Sequence, residues 1–381
     1  MRDNTIEAFF TLVRAGLFPV HGEGNSDIRI DGTTDWNYIY QLAQEQSVQG
    51  IVLCGLEELR AKGIELSVPK VLLLQWIGEV QLIEQRNKAM NVYIAELIEE
   101  MRSVGIYTLL VKGQGLAQCY NRPNWRSSGD VDLLLSKDNY EKAKAFILPK
   151  GVLTEPEESG KKHLAMQVGQ WAVELHGTLR VGLSARVDRM LDKVQYDIFY
   201  GGQVRSWMNG KTQVFLPSAN EDVVYVFAHI LQHFYKGGIG LRQICDWCRL
   251  LWTYRNSLNH KLLESRIREA GIMSEWKVFG TLAIEYLGFP KDSMPLLNVD
   301  LNDNLKKKAE RIKEFILEVG NFGHNRDNSY FQKHSYFVQK CISAWRRVKD
   351  LCRHATIFPV NSVRFFFGIM YNGFVSTLRG E

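Results

Sequence analysis

Asp130 and Asp132 stand two residues apart in the run Gly129-Asp130-Val131-Asp132-Leu133-Leu134-Leu135. Side chains alternate across a strand, so both carboxylates share one face while Val131, Leu133 and Leu135 share the other. Two acids roughly 7 Å apart, on a strand otherwise made of core residues, repel each other and resist burial. A divalent cation removes that cost. Mg²⁺ or Mn²⁺ suits the pair, because each is a hard ion that takes one or two protein carboxylates and completes its shell with water and phosphate oxygens. A second alternating run, Trp171-Ala172-Val173-Glu174-Leu175-His176, places Glu174 and His176 together on one face. If its strand lies beside that of Asp130, Glu174 becomes the third carboxylate that a two-metal site needs.

Upstream of the acids lies Val111-Lys112-Gly113-Gln114-Gly115. Gly113 and Gly115 follow a predicted strand and open a predicted helix, a place where backbone amides can approach phosphate, and Lys112 adds a point charge. No Gly-Lys-Ser or Gly-Lys-Thr follows, so this is not a Walker loop. His176 titrates near neutrality in its ordinary state and is a candidate base or nucleotide contact on the substrate side. His229 and His233 lie four apart on one helix face, without the glutamate of a zincin between them. They read as histidines packed at a helix interface or lining the acceptor side of a cleft. Arg242 and Asp246, also four apart, form an ordinary intrahelical ion pair or contribute to the substrate side. Cys245 and Cys248 lack the second cysteine pair or clustered histidines of a zinc site.

Positioning these groups requires three kinds of segment. Residues 1–104 read as helices, the clearest running from Pro69 to about Val104. Its apolar stripe (Leu73, Ile77, Val80, Ile83, Met90, Ile94, Leu97, Met101, Val104) is broken at Asn87, which leaves one long helix or two meeting there. Residues 105–217 carry short β-rich runs at 107–111, 131–135, 172–175 and 214–216, with helices near 115–120 and 139–148. Residues 218–381 return to helix, beginning at a Ser218–Glu221 capping box and interrupted at 236–240. The expected class is therefore α+β, with a small mixed sheet flanked by helical N- and C-terminal regions.

Hydrophobic residues at 45% and charged residues at 23% are those of a globular protein with a sizeable core. No stretch has the roughly 18 apolar residues of a membrane span, and the start lacks a secretory core, so a cytoplasmic location is expected. The aromatic run 365–371 is too short to span and reads as a docking face. Six scattered cysteines are not a disulfide framework. The net charge of +5 is carried by the last 58 residues, where nine Lys/Arg meet three Asp/Glu. Such a tail is the solvated side of terminal helices or a surface for a polyanion.

Taken together, Lys112-Gly113, Arg126, Asp130-x-Asp132 and Glu174-Leu175-His176 resemble the motifs of the uncharacterised bacterial nucleotidyltransferase family in the DNA polymerase β-like superfamily. The likeness extends over nearly the whole chain, including Ser47 to Val52 and Gly240 to Asp246. It implies a polymerase-β-like core in which Asp130, Asp132 and Glu174 are metal ligands and Gly113 belongs to the phosphate turn. Lys112 and Arg126 would contact phosphates or position the acids. The turn here is Gly113-Gln114 where the superfamily usually has Gly-Ser. The spacing Arg126-x-Ser128-x-Asp130-x-Asp132 is similar to the abortive-infection toxin branch, and it adds Gln114 and Ser128 to the candidate nucleotide contacts.

The reaction expected from this resemblance is transfer of a nucleoside monophosphate from an NTP to an acceptor, releasing pyrophosphate. The acceptor is a small molecule, RNA or protein. One rival is a toxin-like enzyme acting on RNA or protein. The other is a catalytically lapsed nucleotide-binding scaffold, against which the intact pair of aspartates argues.

Overall fold

The polar interruption at Asn87 does not break the helix that carries it. In the computed structural model, which describes residues 2–18, 30, 33–155, 162–297, 301–323, 325–326 and 336–378, one helix runs from Lys70 to Ser103. It follows α1 (Arg2–Leu17), α2 (Trp36–Glu45) and α3 (Gln49–Ala61), and is α4 here. Its buried positions are Leu72, Trp76, Val80, Asn87, Met90, Ile94, Leu97, Ile98 and Met101. The first turns are therefore rotated from the expected stripe, with Leu72 and Trp76 inside, while Val104 is exposed. Asn87 is buried because it is fully used. Its amide donates to the carbonyls of Asn124 (2.8 Å) and Arg126 (2.7 Å), and its oxygen accepts from Gln114 (2.8 Å). One side chain thus ties α4 both to the segment before Asp130 and to the glycine turn.

That segment is held from a second side. The backbone of Gly50, in the first turn of α3, lies so close to Trp125 that an added Cβ would fall 2.1 Å from its carbonyl oxygen. The Trp125 indole donates to Glu84 on α4 at 2.9 Å. Residues 123–126 are thereby pinned between α3 and α4.

The sheet follows. Strands β1 (Leu109–Val111) and β2 (Asp130–Leu134) flank a short helix, α5 (Gly113–Ala117). Then come α6 (Lys137–Ile147), β3 (Val152–Leu153), β4 (His163–Val168), β5 (Trp171–His176) and α7 (Ala185–Tyr200). The five strands are ordered β1-β2-β5-β4-β3. β2 and β5 run parallel, and the other neighbours are antiparallel. One face of this sheet, with Val131, Leu133, Val173 and Leu175, packs against Ile94 and Leu97 of α4 and Tyr140 and Ile147 of α6 in one apolar cluster. The opposite face carries the acids and turns toward the helical body.

That body contains α8 (Ala219–Lys236), α9 (Leu241–Tyr254), α10 (His260–Ala270), α11 (Met273–Leu287), α12 (Asp303–Val319), α13 (Tyr336–Ala355) and α14 (Pro359–Leu378). Its core is continuous with the buried residues of α1–α3 and with Leu134 of β2. The protein is a mixed α+β structure in which helices greatly outweigh a small mixed sheet.

Several details differ from the sequence-based expectation. β3, β4 and α7 were not read, because exposed Val152 and Leu153 and the alternation in β4 give weak signals. The run at 214–216 belongs to β7 (Thr212–Pro217), which pairs with β6 (Val204–Asn209) in a separate ribbon and not with the main sheet. The Ser218–Glu221 capping box does not form. Ser218 Oγ and both Glu221 carboxylate oxygens are buried without hydrogen-bond partners. Burial raises the Glu221 pKa to about 7, opposed by Arg266 at 3.8 Å. Phe365 of the aromatic run is buried with its ring 4.9 Å from Tyr235, so that run does dock. Among the described residues no helix is long and apolar enough to cross a membrane.

Asn87→Ala strands the buried Arg126 carbonyl, the half-buried Asn124 carbonyl and the Gln114 amide at once. It is expected to destabilise the protein by about 3 kcal/mol in urea denaturation. A loss below about 0.5 kcal/mol, the level of an ordinary surface change, would show that Asn87 does not hold these segments.

Candidate active site

The parallel pairing of β2 and β5 sets Asp132 directly beside Glu174, with Asp130 opposite Ala172. The neighbour relation that Glu174 required is therefore present. Carboxylate oxygens of Asp130, Asp132 and Glu174 all lie within 4.8 Å of one another. The cost of this crowding is visible in the charge states. Repulsion from Asp132 is the largest influence raising the Asp130 pKa, and burial adds to it.

Cations close in on the same group. Lys112 Nζ is 2.6 Å from Asp132 Oδ1, with only 13% of the lysine side chain exposed. Burial opposes a charge on this lysine, but Asp132, Asp130 and Glu174 with the Tyr225 hydroxyl together outweigh it and keep the ammonium protonated. His176 Nε2 lies 2.7 Å from the same Asp132 oxygen and 3.4 Å from Glu174 Oε2. His163, from the neighbouring β4, reaches Glu174 Oε2 at 3.1 Å. Burial raises the Glu174 pKa, yet the two histidines and Lys112 more than reverse this and keep its carboxyl below the usual range. For His176, burial disfavours charge but the bonds to Asp132 and Glu174 prevail and raise its pKa.

Lys112 occupies a backbone region uncommon for a side-chain-bearing residue, with φ +56° and ψ −145°. Such strain costs about 1–3 kcal/mol and marks functional turns. Gly113 follows at φ +39°, where an added Cβ would stand 3.4 Å from the Asp130 carbonyl. The turn thus passes close over the start of β2. Gln114 does not face the acids. Its amide is turned inward to Asn87, so only its backbone is available to a ligand there.

Arg126 is almost wholly buried. Its guanidinium makes a bidentate pair with Asp246 of α9, at 2.9 Å (Nε to Oδ1) and 2.6 Å (Nη2 to Oδ2). Its third nitrogen donates to Ser128 Oγ at 2.7 Å. Tyr120 also donates to Asp246, at 2.8 Å. The ordinary intrahelical pairing of Arg242 with Asp246 is therefore not formed, because Asp246 is already taken by Arg126 and Tyr120. Arg242 instead donates to the Ser127 carbonyl at 3.0 Å, and its Nε is buried without a partner. Among the described residues no carboxylate forms an ion pair with it. Burial, with the Arg126 charge beside it, lowers its pKa.

A cleft runs between these groups, with about 450 Å³ of unfilled space including solvent at its mouth. One wall holds Lys112, Gly113, Asp130 and Asp132; the other holds Arg242, Asp246 and His229. His229 and His233 approach each other at 3.0 Å through Nε2, and His229 Nδ1 meets Gln232 at 3.2 Å. Burial and the Lys112 charge push the His229 pKa well down and that of His233 to about 4, so both rings are neutral at pH 7. Of the sequence-derived candidates, Lys112, Gly113, Arg126, Asp130, Asp132, His229, Arg242 and Asp246 line one cleft, while Glu174 and His176 stand beside Asp132 and Ser128 bonds to Arg126. His233 stands behind His229. Sequence reasoning missed Asn87, whose only signal was the break in an apolar stripe, and Tyr120, which had none. His163, which reaches Glu174 from β4, lies outside the motifs singled out in the sequence. Cys245 and Cys248 are buried in α9, where burial pushes both thiols up and keeps them protonated.

The chain is thus an α+β protein in which three carboxylates converge beside a glycine turn. The chain belongs to the uncharacterised nucleotidyltransferase family, whose sequence profile matches residues 32–288. This bears out the family resemblance drawn from the motifs. A comparison with curated proteins finds no match. Among solved structures, the chain is similar to an antigenic nucleotidyltransferase-like protein from Paracoccidioides brasiliensis. The identity is 14% and the TM-score 0.29, over 49% of this chain and 90% of that one.

Removing Asp246 leaves a buried guanidinium unpaired. Asp246→Ala should cost about 3–5 kcal/mol in chemical denaturation. The double variant Arg126→Met/Asp246→Leu should recover much of that loss. Equal destabilisation by the single and double variants would mean that packing, and not the charge pair, matters at this position.

Proposed function

We propose that this protein is a metal-dependent nucleotidyltransferase that moves a nucleoside monophosphate from an NTP to an acceptor oxygen. The observation that carries the proposal is the convergence of Asp130, Asp132 and Glu174 within 4.8 Å, beside a cleft lined by the two aspartates and the Lys112-Gly113 turn. The donor set fits Mg²⁺ or Mn²⁺, since it consists of hard oxygens on one sheet face. Bound there, the ion would neutralise charge developing on the phosphoryl oxygens and the departing pyrophosphate.

The chain's own residues divide the remaining work. Asp130, Asp132 and Glu174 hold the ion, and the backbone of Gly113 and Gln114 approaches the triphosphate. Lys112 brings its ammonium to the cleft wall beside Asp132, where it would meet the phosphates. Arg242 supplies a cation from the opposite wall. Arg126, occupied by Asp246 and Ser128, positions the start of β2 and does not itself grip phosphate. His229, neutral and on the cleft wall, offers the face and edge of its ring to the acceptor, since both its nitrogens are engaged by Gln232 and His233. A small molecule, RNA or protein acceptor is compatible with these roles.

The test is transfer of label from α-labelled NTPs to components of a cell extract. Asp130→Asn and Asp132→Asn are each expected to reduce labelling about a thousandfold, equivalent to about 4 kcal/mol of transition-state stabilisation. Glu174→Gln should also cause a large loss with nucleotide binding largely kept. Near-normal labelling by either aspartate variant would remove the assignment. Stability adds an independent check. A carboxyl whose pKa is raised on folding favours the folded state only while protonated, and that contribution is lost as pH rises through the folded pKa. Asp130→Asn should therefore stabilise the metal-free protein at neutral pH, with the gain disappearing as pH falls below the raised pKa of Asp130.

A further inference from the structure

The acid-bearing face of the sheet holds a second group of converging ligands that nucleotidyl transfer does not require. Antiparallel pairing of β4 with β5 sets His163 opposite His176. Glu174 lies between them, and ligand atoms of His163, Glu174 and His176 all fall within 4.8 Å of one another. Both histidines present Nε2 to the same carboxylate oxygen, Glu174 Oε2, at 3.1 Å for His163 and 3.4 Å for His176. Ligands bound at zinc–nitrogen lengths of about 2.0–2.1 Å stand about 3.3 Å apart around a tetrahedral ion, so these separations are those of a tetrahedron's edges.

We propose that His163, Glu174 and His176 form a separate site for a first-row transition ion of the Zn²⁺ class, sharing Glu174 with the acid trio. The inference rests on the reading of Glu174 as a ligand in the proposed active site. Two imidazoles and one carboxylate are the donor set of open, three-ligand zinc sites, which keep a fourth position for water or substrate. Mg²⁺ prefers oxygen donors and does not compete well for two imidazoles. The two sites differ in chemistry, one offering three carboxylates and the other two imidazoles with one carboxylate, and His176 Nε2, now 2.7 Å from Asp132 Oδ1, would turn from that oxygen to the ion. Lys112, already against Asp132 at 2.6 Å, places its positive charge on the acid side and favours an ion on the side away from it. The His163 side chain is 35% exposed, which gives the ion an approach from solvent. An ion bound here would fix the carboxylate of Glu174 in place beside Asp132.

The experiment uses the full chain, stripped with chelator and then dialysed against Zn²⁺ in the presence of millimolar Mg²⁺. One zinc per chain is expected to be retained. Co²⁺ in its place should give the visible absorption of a tetrahedral or five-coordinate nitrogen–oxygen site. His163→Ala should weaken zinc binding by about a hundredfold or more, since loss of even an outer-shell partner costs roughly 10- to 100-fold. Asp130→Asn should keep the zinc. Circular dichroism of His163→Ala, and of the more conservative His163→Asn, separates loss of the ligand from loss of the fold. Retention of no zinc, or equal retention by wild type and a folded His163 variant, would overturn the proposal. Loss of the zinc in Asp130→Asn would place the ion in the acid trio and overturn it equally. Failure of the nucleotidyl-transfer reading is registered separately, as unaltered labelling in Asp130→Asn.

Discussion

Three carboxylates on one face of a half-buried sheet repel one another, and most of the surrounding structure is arranged around that repulsion. Parallel pairing of β2 and β5 makes it unavoidable, because the register sets Asp132 against Glu174. Lys112 and His176 offset it at Asp132, and His163 and His176 offset it at Glu174. Among the described residues Asp130 has no comparable direct partner, and its pKa is raised. A site left with one strained acid and a cleft beside it is prepared for a cation, since burial strengthens the attraction for an incoming charge.

Holding the acids in place requires rigid support from outside the sheet. The segment 123–126 is fixed by Asn87 of α4, by the close backbone of Gly50 and by the Arg126–Asp246 pair to α9. Helices from both ends of the chain thus meet at the start of β2. The same supports set the cleft's second wall, because α9 carries Asp246 toward Arg126 and leaves Arg242 one turn away, without a carboxylate partner among the described residues. In this arrangement the helical regions position the site as much as they cover it.

Much of this was legible in the sequence, for physical reasons that differ by element. The alternation in Asp130-Val131-Asp132-Leu133 and in Val173-Glu174-Leu175 encodes which side chains share a face, and that survives folding. The long helix was legible from its periodicity, though its first turns were rotated because Leu72 and Trp76 compete with Leu73 and Ile77 for the same interior. Pairings between distant residues were not legible. Arg242 and Asp246 look like partners at helical spacing, but bidentate geometry with Arg126, 120 positions away, binds Asp246 instead. Gln114 looked like a phosphate contact, and its side chain was claimed by Asn87. The capping box failed because Ser218 and Glu221 are buried where their local partners cannot reach them. His163 could have been weighed with His176 only if β4 had been recognised as a strand beside β5.

The central claim is that the acids, short of positive charge, bind metal and NTP together. Thermal unfolding with Mg²⁺ alone, NTP alone and both together tests it without knowledge of the acceptor. A ligand bound only by the folded state stabilises by about 2.7 kcal/mol at a hundredfold excess over Kd. For a chain of this size that raises Tm by a few degrees. The account predicts a shift with both ligands well above the sum of the separate shifts, absent in Asp132→Asn. No shift with any of the four NTPs in the presence of Mg²⁺ would contradict it.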